Sequence, residues 1–224
     1  MNEIKNKPDE GRIRRTMQAL EKNNMQAFYC ENSESARELV QTLIKEGDTI
    51  SSGGSATLKE TGIIDIIKSE KYNYLDRSRP NITPQEIDEV YRKVYSADAY
   101  FSSANAVTED GFLYNVDGNS NRVSAILYGP RNVVIVCGYN KIVNNLDDAV
   151  RRVKECAAPK NTVRLEKDTY CRYNGECVSL GREDAPMCGG CSSPDRICCN
   201  YVVSAYQRVK NRIKVIIIGE ELGY

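Results

Sequence analysis

Two short runs of unbroken apolar residues limit what this chain can fold into. Val133–Val136 is one, and Val215–Ile218, within Lys214–Glu220, is the other. A strand that is apolar on successive positions has no solvent side, so it belongs inside a sheet covered on both faces. Around these runs, strand-like and helix-like patterns alternate. The expectation is an α/β fold with a mostly parallel sheet flanked by helices. No internal repeat or low-complexity linker interrupts it, and its 224 residues suit one domain spanning 1–224. The order of strands does not follow from the pattern.

The remaining elements are read from periodicity and capping. Ile13, Met17, Leu20 and Met25 predict a helix from Pro8 to about Cys30, and a second helix follows Ser33, carrying Ala36, Leu39, Val40, Leu43 and Ile44. Asp48–Ser52 predicts a buried strand, Leu58 to about Ser69 a helix, and Tyr72–Leu75 another strand. Thr83-Pro84-Gln85-Glu86 is a capping box with proline at the first helical position, starting a helix to about Ser96. Ala99–Phe101 is a strand, and Leu146 to about Ala157 an amphipathic helix. Tyr201–Asn211 reads as helical or extended.

Composition removes whole classes of function. Lys plus Arg and Asp plus Glu each number 31, so no net field draws in nucleic acid or an anionic membrane. No apolar run is long enough to span a bilayer, and the first ten residues do not form a signal peptide, which points to a cytosolic chain. Histidine is absent, which excludes Ser-His-Asp triads, Cys-His dyads and imidazole metal ligands. Acid–base chemistry must therefore use carboxylates, Lys, Tyr or Cys.

Two stretches carry candidate ligand-binding residues. Ser52-Gly53-Gly54-Ser55 joins the strand at Asp48–Ser52 to a helix, an arrangement that can aim backbone N–H groups at an anion. It is neither a GxGxxG nor a P-loop, and a plain tight turn would read the same way. Between Ala97 and Gly138, two turns present Glu109, Asp110, Asp117, Asn121 and Arg122 between buried strands. Two hairpin turns with solvated charges are the alternative reading.

Residues 168–200 break the pattern. Cys171, Cys177, Cys188, Cys191, Cys198 and Cys199 crowd into this stretch, six of nine cysteines, without hydrophobic periodicity. Clustered thiolates repel unless a cation neutralises them, and in a cytosolic chain that favours a metal over disulfides. The Cys188-Gly189-Gly190-Cys191 knuckle nominates Cys177, Cys188, Cys191 and Cys198 as ligands to an iron–sulfur cluster or to zinc, with Cys171 and Cys199 in reserve. Cys30, Cys137 and Cys156 lie in apolar segments and read as core residues.

Taken together, several motifs resemble the LUD-domain proteins, the lactate-utilization family that includes LutC-type members. They are Gly53-Gly54-Ser55 with Glu60 and Gly62, Ala104–Gly111, Asn115–Gly118 with Asn121-Arg122-Val123, Gly129-Pro130, and Gly138 with Lys141-Ile142-Val143. Ser193–Cys198 and Gly219–Gly223 complete the set, and Val178–Met187 stands as an insertion relative to the pattern. The resemblance runs from about Met17 to Tyr224. It implies a NagB/RpiA/CoA-transferase-like fold with the cysteine-rich loop inserted before the last strand. It also implies a link to oxidation of a small organic acid of the L-lactate type, with iron–sulfur partner subunits. By likeness to CoA-transferases of that fold, Glu109 is the candidate nucleophile or general base. Asp117, Asn121 and Arg122 would position a carboxylate, Arg122 by a bidentate clamp, and Ser52–Ser55 would hold its anionic end. A non-catalytic metabolite-binding or assembly protein with a structural zinc is the alternative, as is a CoA-transferase-like enzyme.

Overall fold

A computed structural model describes residues 9–224. In chain order it has α1 (Glu10–Lys22), β1 (Gln26–Cys30), α2 (Ser33–Thr42), β2 (Thr49–Ser52), α3 (Ala56–Glu60), α4 (Ile63–Ile67) and β3 (Asn73–Tyr74). Then come α5 (Pro84–Lys93), β4 (Ala99–Ser102), β5 (Ala106–Thr108), β6 (Leu113–Asp117), α6 (Asn121–Tyr128), β7 (Asn132–Gly138) and β8 (Ile142–Val143). The chain continues through α7 (Leu146–Arg152), α8 (Ala158–Arg164), α9 (Tyr170–Asn174), β9 (Asn200–Ser204) and β10 (Ile213–Ile218).

The expected parallel sheet is present. Six strands in the order β1-β10-β7-β4-β2-β3 are all parallel, with β7 and β4 at its centre and β10 between β7 and the edge strand β1. Along β7, side chains alternate between the two faces. Val133, Ile135 and Cys137 pack with Ile13, Leu20, Val215 and Ile217, while Val134 and Val136 pack with Val40, Ile50, Ile216 and Ile218. Both faces are thus buried, which is why the run is apolar throughout. A second, four-stranded sheet in the order β8-β5-β6-β9 is mixed, and its own small core holds Ala106, Tyr114, Ala149 and Val153.

Several boundaries differ from expectation, each for a local reason. The first helix ends at Lys22, because Asn24 takes a left-handed φ of 62°, and Gln26–Cys30 becomes a strand. Pro8, the predicted start, lies outside the described residues, as do the first residues read for a signal peptide. Leu58–Ser69 is two short helices, since Gly62 at φ 71° breaks the ladder between them. Asn32, not Ser33, caps α2. The capping box at Thr83 and Glu86 is present, with both reciprocal bonds made. The helix at Leu146 passes through a π turn, Val153–Ala157, and continues into α8. Residues 200–204 are extended and edge the second sheet. Among the described residues, no helix is long and apolar enough to cross a membrane.

Candidate functional site

The segments that follow β2 and β4 leave the carboxyl edge of the large sheet, the usual location for ligands in open α/β folds. There they enclose a polar cavity of about 480 Å³. Residues 53–55 after β2, 103–105 after β4, Lys141 and the start of α6 form one side of it. Pro194–Ile197 and Tyr224 complete the wall. Six cationic side chains line it, Arg77, Arg122, Lys141, Arg164, Lys167 and Arg196, against two carboxylates, Asp117 and Asp195. The chain as a whole is neutral, so the positive charge is concentrated locally.

The six cations are not equivalent. Lys167 pairs with Asp195 at 3.6 Å, and Arg122 Nε lies 4.0 Å from Asp117. Among the described residues, Arg77, Lys141, Arg164 and Arg196 have no carboxylate within 4.0 Å. Arg77 stacks on the Tyr91 ring, and its Nη1 donates to Tyr91 Oη at 3.3 Å. The Asn121 amide, with its oxygen turned to the surrounding donors, accepts from the same Nη1 at 2.9 Å.

Arg122 does not act as a free clamp. Its Nη1 donates to the Ser103 carbonyl and Asn115 Oδ1, and its Nη2 to Asn105 Oδ1 and the Val116 carbonyl. All four terminal N–H groups are committed to the protein, so the guanidinium braces the cavity floor rather than reaching out to a carboxylate. Asp117 is likewise engaged. Its Oδ2 accepts from the backbone of Arg122 and Val123, doing at the start of α6 the capping that Ser120, at φ 61°, does not.

The Ser52–Ser55 turn divides in the same way. Ser52 Oγ shares a 2.6 Å hydrogen bond with Tyr74 Oη, and the Gly53 N–H donates to the Phe101 carbonyl. A Cβ on Gly53 would meet the Arg122 stem at 2.9 Å, so glycine makes room for that brace. Only Gly54 and Ser55 face the cavity, and Ser55 Oγ also caps α3 by accepting from the Leu58 N–H.

Glu109 lies elsewhere. Its carboxylate is held by Arg12 at 2.7 Å and Arg15 at 3.2 Å, both on α1, and it does not line the cavity. Lys141, which periodicity and motif spacing do not single out, sits at the cavity wall instead. It is 3% exposed, and its Nζ donates to Thr57 Oγ1 and Ser103 Oγ, each at 2.9 Å. Desolvation pulls its pKa from 10.5 to about 8, with Cys137 the largest opposing influence and Arg152 and Arg122 adding to the depression. The available signal was its place in the Gly138 and Lys141-Ile142-Val143 motif.

The cysteine segment builds a second, mostly apolar cavity. Cys171 on α9, Cys177, Cys191 and Cys198 line it together with Tyr114, Val153, Lys154 and Tyr201. Three of the four expected ligands therefore meet. Cys188 is exposed and is not among the lining residues, and the reserve residue Cys171 takes part instead. The physical reason lies in Arg196, whose guanidinium bonds the carbonyls of Cys188, Cys191 and Cys198 and the Cys198 sulfur. It pins the knuckle by its backbone, and Gly190 leaves space for it. The Gly189 N–H donates to the Pro186 carbonyl rather than to a cysteine sulfur. Cys199 is exposed. Among the described residues, no three Cys, Asp or Glu side chains are arranged to hold a single metal ion. Cys137 is a core residue as expected, its thiol pushed up to about 11 by burial.

One crystal structure of a known protein shares this architecture. A crystal structure of a DUF162 family protein from Deinococcus radiodurans matches with a TM-score of 0.51 at 12% identity, covering 93% of this chain and 97% of that one. The beta subunit of eIF2B from Chaetomium thermophilum matches with a TM-score of 0.38 at 14% identity, over 55% of this chain and 42% of its own. Among curated proteins, none matches. The LUD domain matches residues 13–218, nearly the whole described chain, and by that match the protein belongs to the LUD-domain family.

Proposed function

We propose that the protein binds a small organic acid carrying at least two anionic groups in the cationic cavity, as a component of organic-acid oxidation of the lactate type. The observation that carries the reading is the four cations, Arg77, Lys141, Arg164 and Arg196, without carboxylate partners on one cavity. Uncompensated charge at a partly dehydrated site is costly unless a counter-charge arrives. A cavity of about 480 Å³ is also far larger than a three-carbon monoanion needs, which supports a dicarboxylate or a phosphorylated hydroxy acid.

Arg77 and Arg164 supply the mobile charge, Arg122 and Asp117 hold the floor in shape, and Lys141 Nζ holds a proton that it can release near neutral pH. In this reading Lys141 does the acid–base work rather than Glu109, whose salt bridges to α1 also disfavour the CoA-transferase-like alternative.

Calorimetric titration at low and high ionic strength tests this. A phosphorylated hydroxy acid or a hydroxydicarboxylate should bind at least about tenfold more tightly than L-lactate, a difference of about 1.4 kcal/mol, and salt should weaken it. Arg77→Met should remove that preference. Equal affinity for lactate and the multivalent acids, or an unchanged preference in Arg77→Met, refutes the reading.

A further inference from the structure

We infer that the second cavity holds a polynuclear iron–sulfur cluster ligated by Cys171, Cys177, Cys191 and Cys198, with the Tyr114 phenol donating a hydrogen bond to the cluster's sulfur. This site is distinct from the cationic cavity, although the loop from Cys191 to Cys198 contributes to both walls.

The four thiols come in pairs from two stretches of chain, Cys171 with Cys177 and Cys191 with Cys198, and line one nearly apolar cavity. A single zinc ion would hold its sulfurs about 2.3 Å from the metal, and so roughly 3.8 Å from one another. Among the described residues no such tight set exists, which counts against a single zinc ion here. An inorganic core of iron and sulfide takes four thiolates set farther apart than those around one metal ion.

Tyr114 supplies an independent observation. It lies on β6, is fully buried, lines this cavity, and its hydroxyl has no hydrogen-bond partner. A buried O–H left unpaired in native protein calls for an acceptor that the polypeptide does not provide. Thiolate or bridging sulfide in the cavity is that acceptor.

The surroundings suit a negatively charged group. Arg196 Nε donates to Cys198 Sγ at 3.2 Å, and Ser179 Oγ lies 3.3 Å from Cys177 Sγ. Thr162 and Thr169 hydroxyls lie 3.6 and 3.5 Å from Cys171 Sγ. Lys154, 7% exposed, lines the cavity, and its Nζ donates to the Pro186 carbonyl. Hydrogen bonds and cations around cluster sulfur are what set its potential.

The test uses the full chain purified without oxygen and then supplied with iron and sulfide. Iron, acid-labile sulfide and zinc are counted, and visible absorption and electron paramagnetic resonance are recorded after reduction. The expected result is iron and sulfide in equal amounts with broad visible absorption. Cys188→Ser, an exposed change that leaves the fold alone, should keep the full complement, whereas Cys171→Ser should lose it. Tyr114→Phe should keep iron and sulfide but lower the reduction potential and alter the resonance. Zinc without sulfide, no iron after reconstitution, or loss of the cluster in Cys188→Ser overturns the ligand set. An unchanged potential and spectrum in Tyr114→Phe overturns the hydrogen bond.

Discussion

Replacing Lys141 with methionine keeps the stem and removes the charge. The ammonium is 3% exposed, and desolvation lowers its pKa from 10.5 to about 8. At about 1.36 kcal/mol per pKa unit, holding that charge costs the folded state about 3 kcal/mol below pH 8. The two hydrogen bonds to Thr57 and Ser103 return about 1 kcal/mol each. At pH 7 the methionine variant should therefore be about 1 kcal/mol more stable than the wild type.

The sign changes with pH. Below pH 8 the lysine is charged in both folded and unfolded chains, and the full cost applies. Between pH 8 and 10.5 the folded chain has released the proton while the unfolded chain still binds it, so wild-type stability rises with pH. By pH 10.5 the cost is gone, and the variant, lacking the two bonds, should be about 2 kcal/mol less stable. Urea unfolding followed by circular dichroism, under reductant, at several pH values reads the difference directly. A stability gap that stays constant from pH 7 to pH 10.5 would refute the claim that burial governs this amine.

Two further substitutions probe the floor and the ion pairs. Arg122→Met removes the donor to the Ser103 and Val116 carbonyls and to Asn115 Oδ1, leaves Asn105 Oδ1 only its bond from the Val116 N–H, and should cost about 3–5 kcal/mol, seen as a large fall in melting temperature. A loss below about 1 kcal/mol would mean that the brace is dispensable. Glu109→Gln breaks partly exposed ion pairs to Arg12 and Arg15, so it should cost under about 1 kcal/mol and leave ligand affinity unchanged by calorimetry. A tenfold loss of affinity would return Glu109 to the site.

The parts of the fold legible beforehand were those in which local chemistry and tertiary role coincide. Val133–Val136 and Val215–Ile218 are apolar because both faces of their strands are covered, and Thr83 with Glu86 makes its own local bonds wherever it lies. The misread segments depended on backbone geometry at single residues, such as the left-handed Asn24 and Gly62. The site was legible as a region, since Gly54, Ser55, Asp117, Asn121 and Arg122 do converge. Its division of labour was not. That Arg122 has spent its donors depends on Asn105 and Asn115 folding back across it, and that Lys141 is buried depends on Thr57 arriving from α3 and Ser103 from the end of β4. Spacing likewise favoured Cys188 in its knuckle, because nothing local to Cys171 tells that α9 carries it to the other three.

The position of β10 governs when the large sheet can exist at all. Among the described residues β1 is paired with no strand but β10, so Gln26 must wait for Lys214, and β7 stands bare along one edge until the same strand is delivered. At 5–20 residues per second, a ribosome takes roughly ten to forty seconds to cover that interval. Once β7 is made, and for the roughly four to fifteen seconds that remain before β10 follows, the apolar stretch that will become the centre of the protein is an open template for any passing strand. A newborn chain of this kind has good reason to be held by a chaperone until its final strand slots in, and truncations that remove residues 213–218 should leave aggregates instead of a smaller folded protein.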